Sequence, residues 1–171
     1  CHGAAWYWRD AVFPAKSDSD GRYLLRFWQV DYLAEVWVNG VPVGRHEGGE
    51  EPFTLDVTAA VRPGAANRLA VRVLSPGDEP VDGLTRKNVP QRGRACKPPP
   101  GGEYQCGGLI DSVELLACPA VRVEDLHVAP DCATGEIRLR ANIRNAGQQP
   151  AAGRLQVAVA PAAAGETFDA Q

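Results

Sequence analysis

The apolar residues of this chain recur with a period of two, and turn residues interrupt that period at short intervals. Four segments show the pattern most clearly: RYLLRF, AEVWV, FTLDV and NRLAVRV. Because neighbouring side chains of a strand point to opposite faces of its sheet, each segment offers one apolar face to a core. The residues expected on those faces are Tyr23, Leu25, Phe27, Ala34, Val36, Val38, Phe53, Leu55, Val57, Leu69, Val71 and Val73.

Helical periodicity does not extend beyond one turn anywhere in the chain. The 14 Pro and 18 Gly are scattered through the sequence and would interrupt long helices. Short alternating segments separated by turn residues are typical of a β-sandwich. The pattern therefore predicts an all-β fold.

Length and charge limit the classes of function. The 171 residues suffice for one core and part of a second. A net charge of -3 argues against a nucleic-acid partner. No apolar run reaches the ~18 residues of a membrane span, and the first ten residues lack a signal peptide's pattern. Because the chain contains no Met, even at position 1, we expect a segment excised from a longer chain.

The cysteines leave the cellular compartment open. Five Cys are present, so at least one thiol is free or pairs outside the chain. Cys96 and Cys106 flank the loop CKPPPGGEYQC and are a candidate disulfide if the protein is exported; a cytoplasmic location is equally compatible with the sequence. The Cys and His residues lack zinc-site spacing, so we expect no metal, and no motif predicts a cofactor.

The chain divides into two predicted parts. Residues 75 to 108 are rich in turn residues and show no alternation, which predicts a long excursion between two strands. A new strand pattern begins after Pro119, and three strands are expected between residues 120 and 160. Since a complete immunoglobulin-like sandwich needs about seven strands, the predicted domains are 1–118 and a truncated 119–171. The apolar faces of its second and third strands are Ile137, Leu139, Ala141 and Ile143, then Leu155, Val157 and Val159.

The stretch WVNGVPVG predicts a tight hairpin. Asn-Gly is the dipeptide that most readily adopts positive φ at both central positions of a type I′ turn. Folding at Asn39-Gly40 places three pairs of residues opposite each other: Val38 and Val41, Trp37 and Pro42, and Val36 and Val43. Since Pro42 lacks an amide hydrogen, it suits an edge strand.

The following stretch, RHEGGEEPF, concentrates carboxylates. Glu47, Glu50 and Glu51 would suit a glycosidase only if two of them were held at a fixed separation across a sugar. Neighbours in a glycine-rich loop lack that rigidity. We therefore interpret the stretch as a solvated connection with local charge pairing.

Three segments together resemble a known family: AWYWRDAVFP, then the run from YLLRFWQV through VWVNGVPVGRHEGGEEPF to LAVRV, then GGLIDSVELLACPAVRVEDLHVAP. They are similar to the N-terminal sugar-binding domain of glycoside hydrolase family 2, running into the start of its second domain. The resemblance implies a jelly roll of the galactose-binding-like type, then an immunoglobulin-like sandwich, then a (β/α)₈ barrel with two catalytic Glu residues. That family includes β-galactosidases, β-glucuronidases and β-mannosidases.

The resemblance implies a non-catalytic role for this chain. It would pack on the barrel of a retaining glycosidase, its partners being that barrel and the carbohydrate substrate, and it would be inactive alone. By analogy with β-galactosidases, Asn39 is a candidate substrate contact, and the alternative is that it serves only the turn. Asp82 and Arg86, in the long excursion, are weaker candidates, together with Asp78 and Tyr104.

Four tryptophans favour a different class of function. Sugars stack their apolar faces on indole rings, so Trp6, Trp8, Trp28 and Trp37 are compatible with a stand-alone carbohydrate-binding module. The alternative places these rings in the core or against a barrel. An adhesion module made of two β-sandwiches is a third hypothesis. The length of the family resemblance, which runs through loops as well as strands, favours the glycosidase region over it.

Overall fold

The computed structural model describes residues 3–15, 19–77, 79–85, 87, 89 and 107–159, together with the backbone of 168–169. Within these ranges the regular structure is strand, apart from one 3₁₀ turn at Thr58–Ala60, so the all-β prediction is confirmed. No helix in the described ranges is long and apolar enough to cross a membrane. The strands are β1 (Gly3–Val12), β2 (Arg22–Phe27), β3 (Val30–Asp31), β4 (Leu33–Val38), β5 (Val41–Glu47), β6 (Phe53–Asp56), β7 (Ala66–Ser75), β8 (Gly108–Leu109), β9 (Val113–Cys118), β10 (Val121–Pro130), β11 (Ile137–Asn145), β12 (Ala158–Val159) and β13 (Phe168–Asp169).

Two antiparallel sheets enclose the core. One has the strand order β1-β7-β4-β5 and the other β6-β2-β9, while β3 and β8 form a short pair beside them. The largest fully buried side chains include Tyr23 and Phe27 from the second sheet and Val36 and Val73 from the first. Every residue predicted to lie on the apolar faces of RYLLRF, AEVWV, FTLDV and NRLAVRV either belongs to this core cluster or packs against it. The apolar faces predicted after residue 119 do not, since Ile137, Leu139 and Ile143 are 43%, 39% and 54% exposed. The alternation therefore identified the inner faces of both sheets correctly.

The predicted hairpin forms at Asn39-Gly40. Both residues have positive φ, 53° and 81°, as a type I′ turn requires. The predicted pairs Val38–Val41 and Trp37–Pro42 are present, and Pro42 lies on the edge strand β5.

The third predicted pair of that hairpin is wrong. Val36 lies opposite Gly44 instead of Val43, because a β-bulge interrupts the register between Val36 and Trp37. A Cβ at Gly44 would lie 2.7 Å from Cδ2 of Leu55, which belongs to the facing sheet. The bulge thus places the residue without a side chain directly against Leu55 of the other sheet.

The start of the predicted connection RHEGGEEPF is also corrected. Strand β5 continues through Glu47, so its first three residues are paired with β4, and only residues 48–52 connect β5 to β6. Arg45 and Glu47 form an ion pair at 3.6 Å between side chains that are both largely exposed. The predicted local charge pairing is therefore present, although it lies along a strand.

After Cys118 the chain forms a long hairpin of β10 and β11. The predicted third strand is wrong over residues 153–157, since only Ala158–Val159 pair, and their partner is β13. Residues 153–157 pair with no neighbouring strand despite their alternation, and Leu155 is 52% exposed. The guanidinium of Arg22 donates to the carbonyl of Ala146 at 2.5 Å and so joins this hairpin to β2. The predicted boundary near residue 119 stays a prediction.

The long excursion between β7 and β8 covers part of one sheet from outside. Its described residues Val81, Leu84 and Val89 pack on Leu33 and Leu74. These two leucines are directly opposite each other in β4 and β7 and point away from the core. One end of this outer sheet surface is therefore covered. The rest of it carries Trp6, Trp8 and Trp37.

Candidate functional site

Strand register determines which side chains share the outer face of the β1-β7-β4-β5 sheet. Trp8 and Trp37 are both opposite Ala70, one from each side of β7. Trp6 lies opposite Arg72 in the neighbouring row. Since directly opposed residues of antiparallel strands point to the same face, all three indoles project outward from one surface.

The three indole rings form a continuous cluster, which we call the indole face: Trp6, Trp8 and Trp37, with Ala70 between the last two. The Trp6 and Trp8 rings have centroids 5.9 Å apart and are nearly parallel, with 7° between their planes. The Trp6 and Trp37 centroids are 5.2 Å apart. Trp6 is 44% and Trp8 is 66% exposed, so these two rings belong to the surface and not to the core.

An ion pair borders the indole face on one side. The guanidinium of Arg68 donates two hydrogen bonds to the carboxylate of Asp10, from Nε at 2.8 Å and from Nη2 at 2.9 Å. This hydrogen bonding lowers the pKa of Asp10 below its ordinary value. A shallow depression of about 260 Å³, lined by Trp8, Arg9, Asp10 and Arg68, lies at this border.

A second charged group borders the opposite side. Arg72 donates to Glu35 at 2.6 Å and also pairs with Asp82. These hydrogen bonds to two carboxylates raise the pKa of Arg72. Asp82 itself has a φ of 50°, which belongs to the tight turn between Val81 and Leu84. The candidate Asp82 is thus held by an arginine of the sheet.

The other described candidate, Asn39, uses its side chain inside the fold. Its Nδ2 donates to the carbonyl of Ala60 and to Oδ1 of Asn67, each at 2.8 Å, and its Oδ1 accepts from the amide of Arg68 at 3.1 Å. A role as substrate contact stays a prediction for Asn39 and for Asp82.

Asn39 and Asp82 contact β7 near opposite ends of the indole face, Asn39 from inside the fold and Asp82 from the outer face. Asn39 is bonded to Arg68 and Asp82 to Arg72, four residues apart on β7, which corresponds to about 13 Å along a strand. The indole face lies between them. Arg86, Asp78 and Tyr104, and both cysteines of the candidate disulfide, Cys96 and Cys106, lie outside the described residues.

Of the three carboxylates after the hairpin, Glu47 has two partners, Tyr32 and Arg45. The hydroxyl of Tyr32 donates to Glu47 at 3.1 Å, and burial together with this bond raises the pKa of Tyr32. In the described residues no three His, Cys, Asp or Glu side chains are grouped as metal ligands. The fourth tryptophan, Trp28, is 42% exposed and stacks with Arg26 at 5.6 Å, separately from the indole face.

A two-sheet antiparallel sandwich with exposed indoles on one outer face belongs to the class of β-sandwich modules. The family is more specific: residues 1–119 match the model described as "Glycosyl hydrolases family 2, sugar binding domain", and the chain belongs to this family.

Relatives and solved structures agree with this membership. The β-glucuronidase of Rattus norvegicus is 33% identical over 139 residues, 75% of this chain and 22% of the relative. The β-glucuronidase of Paenibacillus borealis is 39% identical over 71 residues, 42% of this chain and 12% of the relative. The chain thus spans less than a quarter of the curated relatives it matches.

The fold is shared with larger solved enzymes. The Faecalibacterium prausnitzii β-glucuronidase superimposes with a TM-score of 0.63 at 26% identity, covering 84% of this chain and 27% of that one. A family 2 member from Bacteroides cellulosilyticus gives 0.64 at 23% identity, covering 85% and 18%. In both, the matched region is a minor part of a longer chain.

Proposed function

We propose that this chain is the non-catalytic, sugar-binding N-terminal region of a β-glucuronidase-like family 2 enzyme, and that it packs on a (β/α)₈ barrel and helps to shape the substrate pocket. The observation that carries the proposal is the family match over residues 1–119 together with relatives named as β-glucuronidases. The parent protein would hydrolyse O-glycosyl bonds, and this chain would supply none of the catalytic carboxylates.

The size of the chain supports this division of labour. A (β/α)₈ barrel takes about 250 residues, more than the 171 available here. The barrel and its acid and nucleophile would therefore come from another part of the parent protein.

The hydrogen bonds of Asn39 indicate how this region would influence a substrate pocket. With Nδ2 donating to two acceptors and Oδ1 accepting an amide, the side chain has little capacity left for a sugar. Its contribution would come through the shape of the Val38–Val41 turn, which it holds against β7.

The test compares the purified 171-residue chain with the complete gene product that contains it, using p-nitrophenyl β-D-glucuronide, β-D-galactoside and β-D-mannoside. We expect the complete product to hydrolyse the glucuronide in preference to the other two and the chain alone to hydrolyse none. Hydrolysis by the chain alone would contradict the non-catalytic role. Preference for the galactoside or mannoside would contradict the glucuronidase assignment.

The exposed indoles favour a second candidate, a stand-alone carbohydrate-binding module. A ring exposed to the extent of Trp8 contributes little to the core and offers a stacking surface to a pyranose. A gene product that ends at residue 171 and binds sugar without hydrolysing it would support this candidate over the first.

A further inference from the structure

We propose that the β1 edge, the side of β1 that faces away from β7, pairs antiparallel with the β1 edge of a second copy of this chain. The two β1-β7-β4-β5 sheets would then form one continuous sheet. This interaction goes beyond the function proposed above and does not depend on it. Three observations support it: the direction of the backbone groups of β1, its exposed apolar residues and the contrast with the opposite edge of the sheet.

The alternation of backbone hydrogen bonds determines which residues of β1 face its free edge. The amide of Asn39 donates to the carbonyl of Arg68 at 2.8 Å, so the even-numbered residues of β7 are directed toward β4 and the odd-numbered ones toward β1. Phe13, which continues β1, agrees with this, because its amide donates to the carbonyl of Ala65 at 3.2 Å. Even-numbered residues of β1 lie opposite even-numbered residues of β7. The residues whose backbone groups point to the free edge are therefore Ala4, Trp6, Trp8, Asp10 and Val12.

The β1 edge is long, regular and apolar. Its strand pairs with β7 over ten residues without a register shift, and no other strand in the described ranges pairs with it. Residues 4–8, AAWYW, are an unbroken run of exposed apolar side chains. An exposed strand edge of this kind is a template for pairing with another strand.

The opposite edge of the same sheet has features that prevent such pairing. Strand β5 contains Pro42, which lacks an amide hydrogen, and its register with β4 is interrupted by a bulge. It also carries the exposed charges of Arg45 and Glu47. In β1 there is no Pro and no bulge, and the charged residues, Arg9 and Asp10, are confined to one half of the strand. One edge of the sheet is thus protected, whereas the other is available for pairing.

The sequence of β1 suits pairing with its own copy. Antiparallel pairing of two identical strands satisfies a twofold axis, so every contact is made twice. Alignments that place Arg9 opposite Arg9 or Asp10 opposite Asp10 bring like charges together and are disfavoured. Alignments centred on Trp6, Tyr7 or Trp8 avoid both, and each places a tryptophan of one copy opposite a tryptophan of the other. The pairing would therefore join two indole faces into one aromatic surface.

The first measurement is sedimentation equilibrium of the full 171-residue chain between about 20 and about 500 µM. We expect a monomer–dimer equilibrium with a dissociation constant of about 50 µM, because an interface made by one strand edge is small. Hydrogen exchange measured by NMR over the same range locates the contact. By mass action the amides of Trp6 and Trp8 should exchange about 3-fold more slowly at the higher concentration. The amide of Tyr7, which is directed toward β7, should exchange at the same rate at both.

Two proline variants test the direction of the backbone groups. Ala4→Pro removes an N–H group from the β1 edge and leaves the bonds to β7 intact, so it should weaken dimerisation at least about 10-fold. Ala117→Pro is the matched control, since Ala117 is an exposed alanine of the edge strand β9. The amide of Trp28 donates to the carbonyl of Ser112 at 3.0 Å, so the odd-numbered residues of β9 point away from β2 and Ala117→Pro also spares the ladder. This control should dimerise as the unmodified chain does.

Two lysine variants test the apolar surface. Trp8→Lys places a charge on the β1 edge, and lysine on an edge strand opposes pairing, so it should also weaken dimerisation at least about 10-fold. Trp28→Lys is the matched control, because Trp28 is likewise exposed but lies apart from the indole face, and it should leave dimerisation unchanged. Circular dichroism verifies that each variant is folded.

Several results would overturn the proposal. A chain that stays monomeric over the whole concentration range would do so, and so would dimerisation that neither Ala4→Pro nor Trp8→Lys weakens. Protection of the Trp6 and Trp8 amides that does not change on dilution would mean that another segment of the same chain covers the edge. In the complete gene product, hydrogen exchange followed by mass spectrometry should show faster exchange in the β1 peptide for Ala4→Pro than for Ala117→Pro, and equal exchange would contradict the pairing there.

Discussion

Among the residues that the structure describes, Asn67 has the most deeply buried polar side chain. It is 1% exposed, and all of its hydrogen-bonding capacity is used. Oδ1 accepts from the amide of Arg62 at 2.7 Å and from Nδ2 of Asn39 at 2.8 Å. Nδ2 donates to the carbonyls of Arg62 and Ala65, each at 2.9 Å. Asn67 thus fixes the loop before β7 and links it to the hairpin turn.

Asn67→Asp changes the hydrogen bonding of this side chain and hardly its size. The two donated bonds are lost, and an oxygen replaces the nitrogen that faced two carbonyls. A buried polar group left unpaired costs about 1 to 3 kcal/mol, so two of them together with a buried charge should destabilise the chain by about 3 to 5 kcal/mol. That is a large part of the ~5 to 15 kcal/mol of a typical domain.

The measurement is urea unfolding at pH 7, followed by tryptophan fluorescence. Arg62→Ala is the matched control, because Arg62 takes part only through its backbone, and its effect should stay within about 0.5 kcal/mol. The new carboxyl should have a raised folded-state pKa, since burial and two facing carbonyls disfavour its charge. The part of the deficit that comes from the charge should therefore shrink as the pH falls from the raised folded-state pKa toward about 4, and it should be absent below that. A loss under 1 kcal/mol at pH 7 would refute the assigned hydrogen bonds.

Three further outcomes are expected. Gly44→Ala should cost about 1 to 3 kcal/mol in urea unfolding, because the new methyl would be 2.7 Å from Cδ2 of Leu55; a neutral result would mean that this leucine rotates away freely. Arg22→Ala should accelerate amide exchange at Ala146 about 10-fold without affecting β7, and unchanged exchange would show that the guanidinium bond does not hold the second hairpin. Asp10→Asn should make the free energy of unfolding less sensitive to acid. Because the pKa of Asp10 is lowered in the folded chain, its carboxylate stabilises the chain above about pH 4, and this contribution disappears as the pH falls. An unchanged dependence of stability on pH would contradict the role of the Asp10–Arg68 pair.

The inner faces of the sandwich were predictable because their signal is local. Tyr23, Leu25 and Phe27 alternate along six residues, and all three are at most 2% exposed. The hairpin was predictable for the same reason, since Asn-Gly encodes its own turn geometry. Neither conclusion needed information about a distant part of the chain.

The bulge in β5 was not predictable from alternation. Its position depends on Leu55, in the other sheet, whose side chain occupies the space where a residue at position 44 would place its Cβ. Only the facing sheet reveals that contact. The same limit explains why Arg45 was expected in a loop, since its strand character depends on pairing with Glu35.

The indole face was predictable from the sequence only in part. The spacing of Trp6 and Trp8 shows that they share a side of one strand, but their association with Trp37 requires β7 to lie between β1 and β4. Strand order is a non-local property, and so are the Asp10–Arg68 and Arg72–Asp82 pairs that border the cluster. To predict that Ala70 lies opposite two tryptophans, one would need the register of β7 with both β1 and β4.

Strand β7 couples the stability of the fold to the candidate site. Its inner side chains, such as Val73, enter the core, while Ala70 lies beneath the indoles on the other side. Asn39 holds β7 in register through its Oδ1 and through its own amide, which donates to the carbonyl of Arg68 at 2.8 Å. Since a shift by one residue would turn every β7 side chain to the opposite face, the Asn39–Asn67 contact helps to determine which β7 residues lie beneath the indoles. Asn67→Asp should therefore shift the indole N–H signal of Trp37 in ¹⁵N NMR spectra even under conditions where the chain remains folded, whereas Arg62→Ala should leave it in place.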